Sequence, residues 1–219
     1  MTTLDTRVLG PSALVAGLSP LVGNGLYAGP TGSGTALLRD LAEPLPAGAA
    51  LGLALELVGL VAIVVFLAAL VAILARRTPI AASGTGIAGA AMVAVKLGSV
   101  TPVLALRADP EGVPPEVAEV LIGVNDASFV VAGLLLSLSL AIAGIGLQRS
   151  GPVPGWLAWW PVLAGGLGVL AAGAGVLLPD GYVPVPFLLL LLWMMVLGAW
   201  SIVGGSARTV RGAAVATPQ

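Results

Sequence analysis

The chain contains, at residues 51–75, the segment LGLALELVGLVAIVVFLAALVAILA, in which Glu56 is the one charged residue. About 20 apolar residues in an α-helix cross the hydrocarbon core of a bilayer, so this segment predicts a transmembrane helix. The rest of the sequence agrees, because 58% of the 219 residues are hydrophobic and only 9% are charged. Soluble domains have roughly 25% charged residues. The apolar excess must face lipid, which excludes a water-soluble fold.

Proline, glycine and charged residues divide the chain into six apolar stretches. The spans are predicted at residues 9–28, 49–75, 80–106, 117–147, 156–178 and 184–205. The sequence therefore predicts an all-α polytopic membrane protein, a six-helix bundle over residues 9–205. Residues 1–8 would form a cytoplasmic N-terminus and residues 206–219 a disordered cytoplasmic tail.

The first span is the weakest, since Pro11, Pro20 and Asn24 interrupt it. A cleaved signal peptide is the alternative interpretation. We favour a retained helix, because no clean small-x-small cleavage site follows and a sixth helix returns both termini to one side.

Basic residues predict the orientation. Arg39 and Arg107 fall on one side of the membrane, and six fall on the other: Arg7, Arg76, Arg77, Arg149, Arg208 and Arg211. By the positive-inside rule, the side with six and both termini are cytoplasmic. The Ala-, Gly-, Val- and Leu-rich composition is typical of a high-GC genome, and we expect a multi-pass protein of a bacterial inner membrane.

The longest connection, residues 29–48, lies on the outer side. Residues 35–43 have a plausible N-cap at Thr35 and apolar residues at helical spacing, and Pro44 follows them. We predict a short surface helix that closes over the bundle as a connector rather than as a binding lid.

Three ionisable residues lie inside the spans: Glu56, Lys96 and Asp126. Each costs about 2.5–3.5 kcal/mol at a helix centre, so all three should face the bundle interior. Counting about 1.5 Å per residue from the expected outer helix ends places them at one depth, roughly 9–12 Å below the outer surface. Uncharged polar side chains fall at a similar level: Asn24, Asn125 and Ser128. These six residues predict a ligand-binding pocket that opens outward.

Two functions fit this pocket. In the first, the protein binds or translocates a small ligand, lipid or cation, as a transporter-like or sensor component. In the second, the protein is structural or binds a partner, and the buried charges only hold the helices together. Two acids and one base favour a cationic guest or a protonated carboxyl.

A membrane enzyme is the third interpretation and the least favoured. The chain has no Cys and no His, which excludes thiolate and imidazole chemistry and the usual metal ligands. We therefore predict no catalytic residues, no metal site and no cofactor. Gly84, Gly86 and Gly89 match a dinucleotide-binding pattern, but no strand precedes them, so we interpret them as helix-packing positions.

The expected partners are membrane lipids and a small ligand or cation, and a homo-oligomer is left open. Nucleic acid is excluded, because the net charge is −1 and the basic residues are scattered.

The segment from Asn125 to Phe129, and the turn Arg149-Ser150-Gly151-Pro152-Val153-Pro154-Gly155-Trp156-Leu157, resemble an uncharacterised bacterial six-helix membrane family, a domain of unknown function. That family has a polar start to its fourth helix and a cytoplasmic Arg-Ser…Pro-x-Trp-Leu turn before a Gly-rich fifth helix. It often carries an Arg with an acid three residues later in the third helix, where this chain has Lys96 and Ser99. The resemblance implies a fold and a topology over residues 10–205 but no reaction.

Overall fold

The computed structural model describes residues 3–27, 29–30, 32–110, 112–151, 153–178 and 182–215, with side chains described from residue 7 to residue 204 of these ranges. Within them the secondary structure is entirely helical. The seven helices are α1 (Thr3–Leu26), α2 (Gly34–Ala42), α3 (Ala47–Ala75), α4 (Pro79–Ala108), α5 (Pro115–Ser150), α6 (Gly155–Leu177) and α7 (Val185–Val215).

Proline marks where most of these helices begin. Pro46, Pro114 and Pro154 occupy the N-cap positions of α3, α5 and α6, and Pro79 is in the first turn of α4. Proline fits the start of a helix because the first backbone N–H groups have no helical acceptor and its φ is already helical. The predicted breaks between spans therefore coincide with observed helix boundaries.

Five of the described helices are long and apolar enough to cross a membrane: α3, α4, α5, α6 and the Val185–Gly204 part of α7. The protein is thus a helical, multi-pass membrane protein. Helix α1, the predicted first span, is not among the five, because Pro11, Pro20 and several polar residues lower its hydropathy. It has 24 residues, about 36 Å of helix.

The helices extend beyond the predicted membrane domain at both ends of the chain. Helix α1 begins at Thr3, within the predicted N-terminal segment 1–8, and α7 continues to Val215, through much of the predicted tail 206–219. Residues 216–219 lie outside the described part of the chain.

The six long helices form a closed ring. Each packs against the next in the order α1, α3, α4, α5, α6 and α7, and α7 packs along α1 to complete the ring. Helix α5 also contacts α3 and α7 across the centre. The apolar core fills this interior, where the Phe66 and Trp193 rings meet edge to face with centroids 6.0 Å apart.

Glycines allow close approach at several helix contacts, of which two are examples. A Cβ added at Gly165 of α6 would lie 2.5 Å from the Ser137 carbonyl oxygen of α5. One added at Gly59 of α3 would lie 2.7 Å from the Pro20 ring of α1. Such contacts between small residues are typical of membrane helix packing. Gly84, Gly86 and Gly89, which match the dinucleotide pattern, lie within α4 and face side chains of α5 and α3.

The short helix predicted at residues 35–43 is observed as α2, Gly34–Ala42. Its buried Leu37 and Leu41 pack on Leu106 of α4 and Ala118 of α5. The backbone N–H of Gly34 donates to the Glu119 carboxylate. Helix α2 therefore covers adjoining ends of α4 and α5, opposite the Arg76–Arg77 turn.

Candidate functional site

A cavity of about 360 Å³ lies inside the helix ring, toward the α2 end. Helices α1, α3, α4, α5 and α7, together with the segment before α7, supply its walls. On the opposite half of the bundle α3 and α4 are in contact, since a Cβ at Gly89 would lie 2.6 Å from Leu67 Cδ1. The cavity therefore occupies one half of the bundle, while the other half is packed.

Glu56 lines the cavity from α3 and is half-buried. Its stem lies against α1, because a Cβ added at Gly23 would lie 3.0 Å from Glu56 Cγ. The absence of a side chain at Gly23 leaves room for the glutamate. The carboxyl group therefore belongs to the α1 side of the cavity.

Lys96 lines the cavity from α4 and is also half-buried. Its ammonium group lies over the Phe129 ring of α5, 3.3 Å from the ring centroid, which is a close cation–π contact. Glu56 and Asp126 both act on Lys96 electrostatically. Among the described residues, no carboxylate oxygen lies within the 4.0 Å of an ion pair with Lys96.

Two further polar side chains line the cavity, and one of them is Asn24 of α1. Its Nδ2 donates to the Pro20 carbonyl at 2.8 Å, which leaves Oδ1 as an acceptor. The other is Tyr182, which precedes α7 and reaches back so that its hydroxyl lies at Gly133 of α5. Burial raises the pKa of Tyr182 above its usual value, so the hydroxyl is a donor at neutral pH.

The remaining walls are apolar. The lining side chains of this kind come from five helices and include Leu21, Leu53, Leu60, Ile63, Met92, Val100, Leu136, Phe187 and Leu191. Three lining leucines are also on the protein surface, with exposed fractions of 43% for Leu21, 47% for Leu57 and 44% for Leu188. The cavity is therefore partly open, and its rim is largely apolar.

The structure brings together three of the six predicted site residues: Glu56, Lys96 and Asn24. The other three lie outside the cavity lining. Asn125 is half-buried, and Ser128 is buried and donates to the Asn125 carbonyl at 2.5 Å.

Asp126 is exposed, which differs from the expectation that all three charges face the bundle interior. The reason is the length of α5, which has 36 residues, about 54 Å and well beyond the hydrocarbon thickness of about 30 Å. Asp126 lies 24 residues from Ser150 at the other end of α5, about 36 Å away. Asp126 therefore lies on the exposed surface of α5, one turn before Phe129 and far from the Ser150 end of the helix.

Sequence reasoning did not predict Phe129 or Tyr182 as site residues. A tyrosine at an outer turn, as at Tyr182, is typical of the aromatic residues at a membrane interface and does not by itself indicate a site residue. No spacing in the sequence signals that Tyr182 folds back, with its Cα and Cβ at Gly175 and its hydroxyl at Gly133. Phe129 lies one turn from Asp126, but its contact with Lys96 depends on how α4 and α5 pack.

Among the described residues, no three or more Asp and Glu side chains come close enough to hold a metal ion. The polar groups of the cavity are one carboxyl, one ammonium, one phenol and one amide. Such a set can bind a small polar or charged group by hydrogen bonds and charge, with apolar walls around it.

Comparison with known proteins gives one result. Residues 9–205 match the family described as a domain of unknown function, DUF4386. No curated protein and no solved structure matches the chain. The match covers most of the chain and agrees with the family resemblance found in the sequence, and the protein is therefore a member of the DUF4386 family.

Proposed function

We propose that the protein binds a small amphipathic ligand in the cavity lined by Glu56, Lys96, Asn24 and Tyr182. The observation that carries this proposal is that five helices converge on a partly open, mainly apolar cavity containing one ammonium and one carboxyl group. Ligand sites are typically apolar cavities with a few placed polar groups. Charged residues in membrane helices are functional candidates by default, because their insertion is costly.

The position of Lys96 favours binding over the structural clamp. A clamp would place the ammonium in a direct ion pair, since that contact offsets the cost of burying both charges. Lys96 instead lies on the Phe129 ring, and Glu56 lies toward α1. Both charged groups therefore stay available to a third partner.

The proposal includes six spans with both termini in the cytoplasm of a bacterial cell. Helix α1 supports it by length, and by packing along both α3 and α7, each apolar enough to span. In this orientation the cavity lies in the outer half of the membrane. A transporter or a sensor would present it there to molecules that arrive from outside or from the outer leaflet.

The test is to fill the cavity without altering its charges. Leu60→Trp enlarges a lining side chain on α3. The probe is a decyl amphiphile with a nitroxide at the chain end, decylphosphoethanolamine, added to the protein in nanodiscs. Electron paramagnetic resonance then measures the immobilised fraction. We expect Leu60→Trp to reduce this fraction at least tenfold relative to the parent protein.

Leu163→Trp is the matched control, because Leu163 is 65% exposed and lies outside the lining. It should leave the immobilised fraction unchanged. Equal immobilisation by the parent protein and by Leu60→Trp would show that the probe binds elsewhere and would contradict the proposed function.

A further inference from the structure

We infer that the ligand carries a zwitterionic head group, with its cation at Glu56 and its anion at Lys96. This inference rests on the proposed function and specifies the chemical class of the ligand. Four observations support it: the direction of the two charged side chains, their number, the hydrogen-bonding groups beside them, and the character of the cavity rim.

The two charges lie against different walls of the cavity. Glu56 Cγ lies at Gly23 of α1, and the Lys96 ammonium lies at Phe129 of α5. They act on each other electrostatically without forming an ion pair within 4.0 Å. The carboxylate of Glu56 and the ammonium of Lys96 are therefore separated by the cavity. A guest with one positive and one negative group would contact both of them.

The number of charges favours a neutral guest overall. Glu56 and Lys96 are the charged residues of the lining. Asp126 also acts on Lys96, but it is exposed and lies outside the lining. A guest with a single charge would pair with one side chain and leave the other half-buried with no opposite charge in direct contact, which is unfavourable. A head group with both charges satisfies both.

The hydrogen-bonding groups fit the same arrangement. The Tyr182 hydroxyl at Gly133 is a further donor for the anionic part of the head group. Asn24 Oδ1 is a further acceptor, on the same helix as Gly23, for the ammonium part. The donors thus lie on α4 and before α7, and the acceptors lie on α3 and α1.

The exposed leucines at the rim indicate that the ligand has an apolar part. Leu57 and Leu188 line the cavity and are nearly half exposed. An alkyl chain that leaves the cavity past these side chains would remain in apolar surroundings. The shared chemistry is an ammonium group joined to a phosphate or a carboxylate, which either a lipid head group or a free small molecule could supply.

The experiment compares ligands that have the same decyl chain and different head groups, so that differences in binding report the preferred head group. Nitroxide-labelled decylphosphoethanolamine is the probe, and decylphosphoethanolamine, decanesulfonate, decylammonium and decanol compete with it in nanodiscs. For the parent protein we expect the zwitterion to compete at least tenfold better than each of the others. Glycerophosphoethanolamine, a phosphodiester with the same two charges and no alkyl chain, distinguishes the sources: competition within tenfold of the decyl compound supports a soluble zwitterion, and weaker competition supports a lipid.

Single-charge variants should change the preference in opposite directions. Glu56→Gln should make decanesulfonate at least as effective as the zwitterion. Lys96→Gln should do the same for decylammonium. Glu116→Gln, an exposed residue outside the lining, is the matched control and should retain the parent preference. If a single variant does not fold, exchange of the two charges, Glu56→Lys with Lys96→Glu, keeps both signs and should retain the zwitterion preference.

The two proposals fail in different ways. Equal competition by all four decyl compounds, with binding still abolished by Leu60→Trp, would overturn the zwitterion inference and leave the cavity as the binding site. Binding that Leu60→Trp does not change would overturn the proposed function itself.

Discussion

Leu157 has a backbone carbonyl that its own helix cannot satisfy. The donor for this carbonyl would be the N–H of residue 161, and Pro161 has none. The Trp193 indole of α7 supplies the missing bond, with Nε1 donating to the Leu157 oxygen at 2.7 Å. Trp193 is fully buried. The proline of one helix is thus matched by a tryptophan of its neighbour.

A double-mutant cycle tests this match. Trp193→Phe should destabilise the protein, in part because a buried carbonyl left without a donor costs about 1–3 kcal/mol. In a Pro161→Ala background the new backbone N–H satisfies Leu157, so the same change should cost about 1 kcal/mol less. Unfolding in mixed micelles measures both differences. Equal costs in the two backgrounds would contradict the assigned role of the bond.

Lys96 and Asp126 show how far residue positions follow from sequence. The interior position of Lys96 is predictable, because lipid excludes charge. The exposure of Asp126 is not, since it depends on how far α5 projects beyond the bilayer. The predicted depth of Asp126 assumes an outer helix end near residue 120, whereas α5 begins at Pro115. The first turns of a helix carry no hydropathy signal that distinguishes membrane from water.

Helix α6 presents two neighbouring glycines to different surroundings. Gly165 is buried against α5, and a Cβ there would lie 2.5 Å from the Ser137 oxygen and 2.9 Å from Ala141 Cβ. Gly166 is exposed, and a Cβ there would meet nothing within 4 Å. The two positions have the same helical conformation and differ only in what they face.

This difference gives a matched pair of substitutions. Gly166→Ala should leave stability unchanged or raise it by up to about 1 kcal/mol, because alanine favours a helix. Gly165→Ala should lower it by about 1–3 kcal/mol, since the backbone of α5 must move to admit the methyl group. Thermal unfolding of both variants provides the comparison. A Gly165→Ala protein as stable as Gly166→Ala would contradict the close α5–α6 contact.

Helix positions are the part of the fold that sequence predicts best. The predicted span 49–75 is observed as Ala47–Ala75, and the predicted span 156–178 as Gly155–Leu177. The boundaries of these helices follow from the hydropathy of the segment itself and from the prolines beside it. The fold-back of Tyr182 and the bond from Trp193 to Leu157 arise from contacts between distant helices. Patterns within one helix do not record such contacts.

At the scale of the whole molecule, the ring order determines which helix ends share a side. The turn at Arg77 meets the end of α5, where its Nη1 donates to the Ser150 carbonyl at 2.9 Å. Helix α2 lies at the other ends of α4 and α5. The bundle therefore has one end with the Arg76–Arg77 turn and one end with α2. By the positive-inside rule, we propose that the arginine end is cytoplasmic.

Cysteine labelling in intact cells tests this orientation, and the chain has no native Cys to interfere. A membrane-impermeant maleimide should label Ser33→Cys, which precedes α2. It should label Gly155→Cys, at the start of α6, only after permeabilisation. Thr6→Cys tests α1 as a span and should behave like Gly155→Cys. Labelling of Gly155→Cys but not of Ser33→Cys in intact cells would show the opposite orientation and would contradict the proposed topology.

Ring closure by α7 also has a consequence for biosynthesis. The cavity takes walls from α1, α3, α4, α5 and α7, and α7 leaves the ribosome after the other four. Until α7 inserts, Glu56 and Lys96 lack part of their enclosure and face lipid, at a cost in free energy. Nascent chains paused before α7 should therefore depend on membrane chaperones and be degraded faster than the full-length protein.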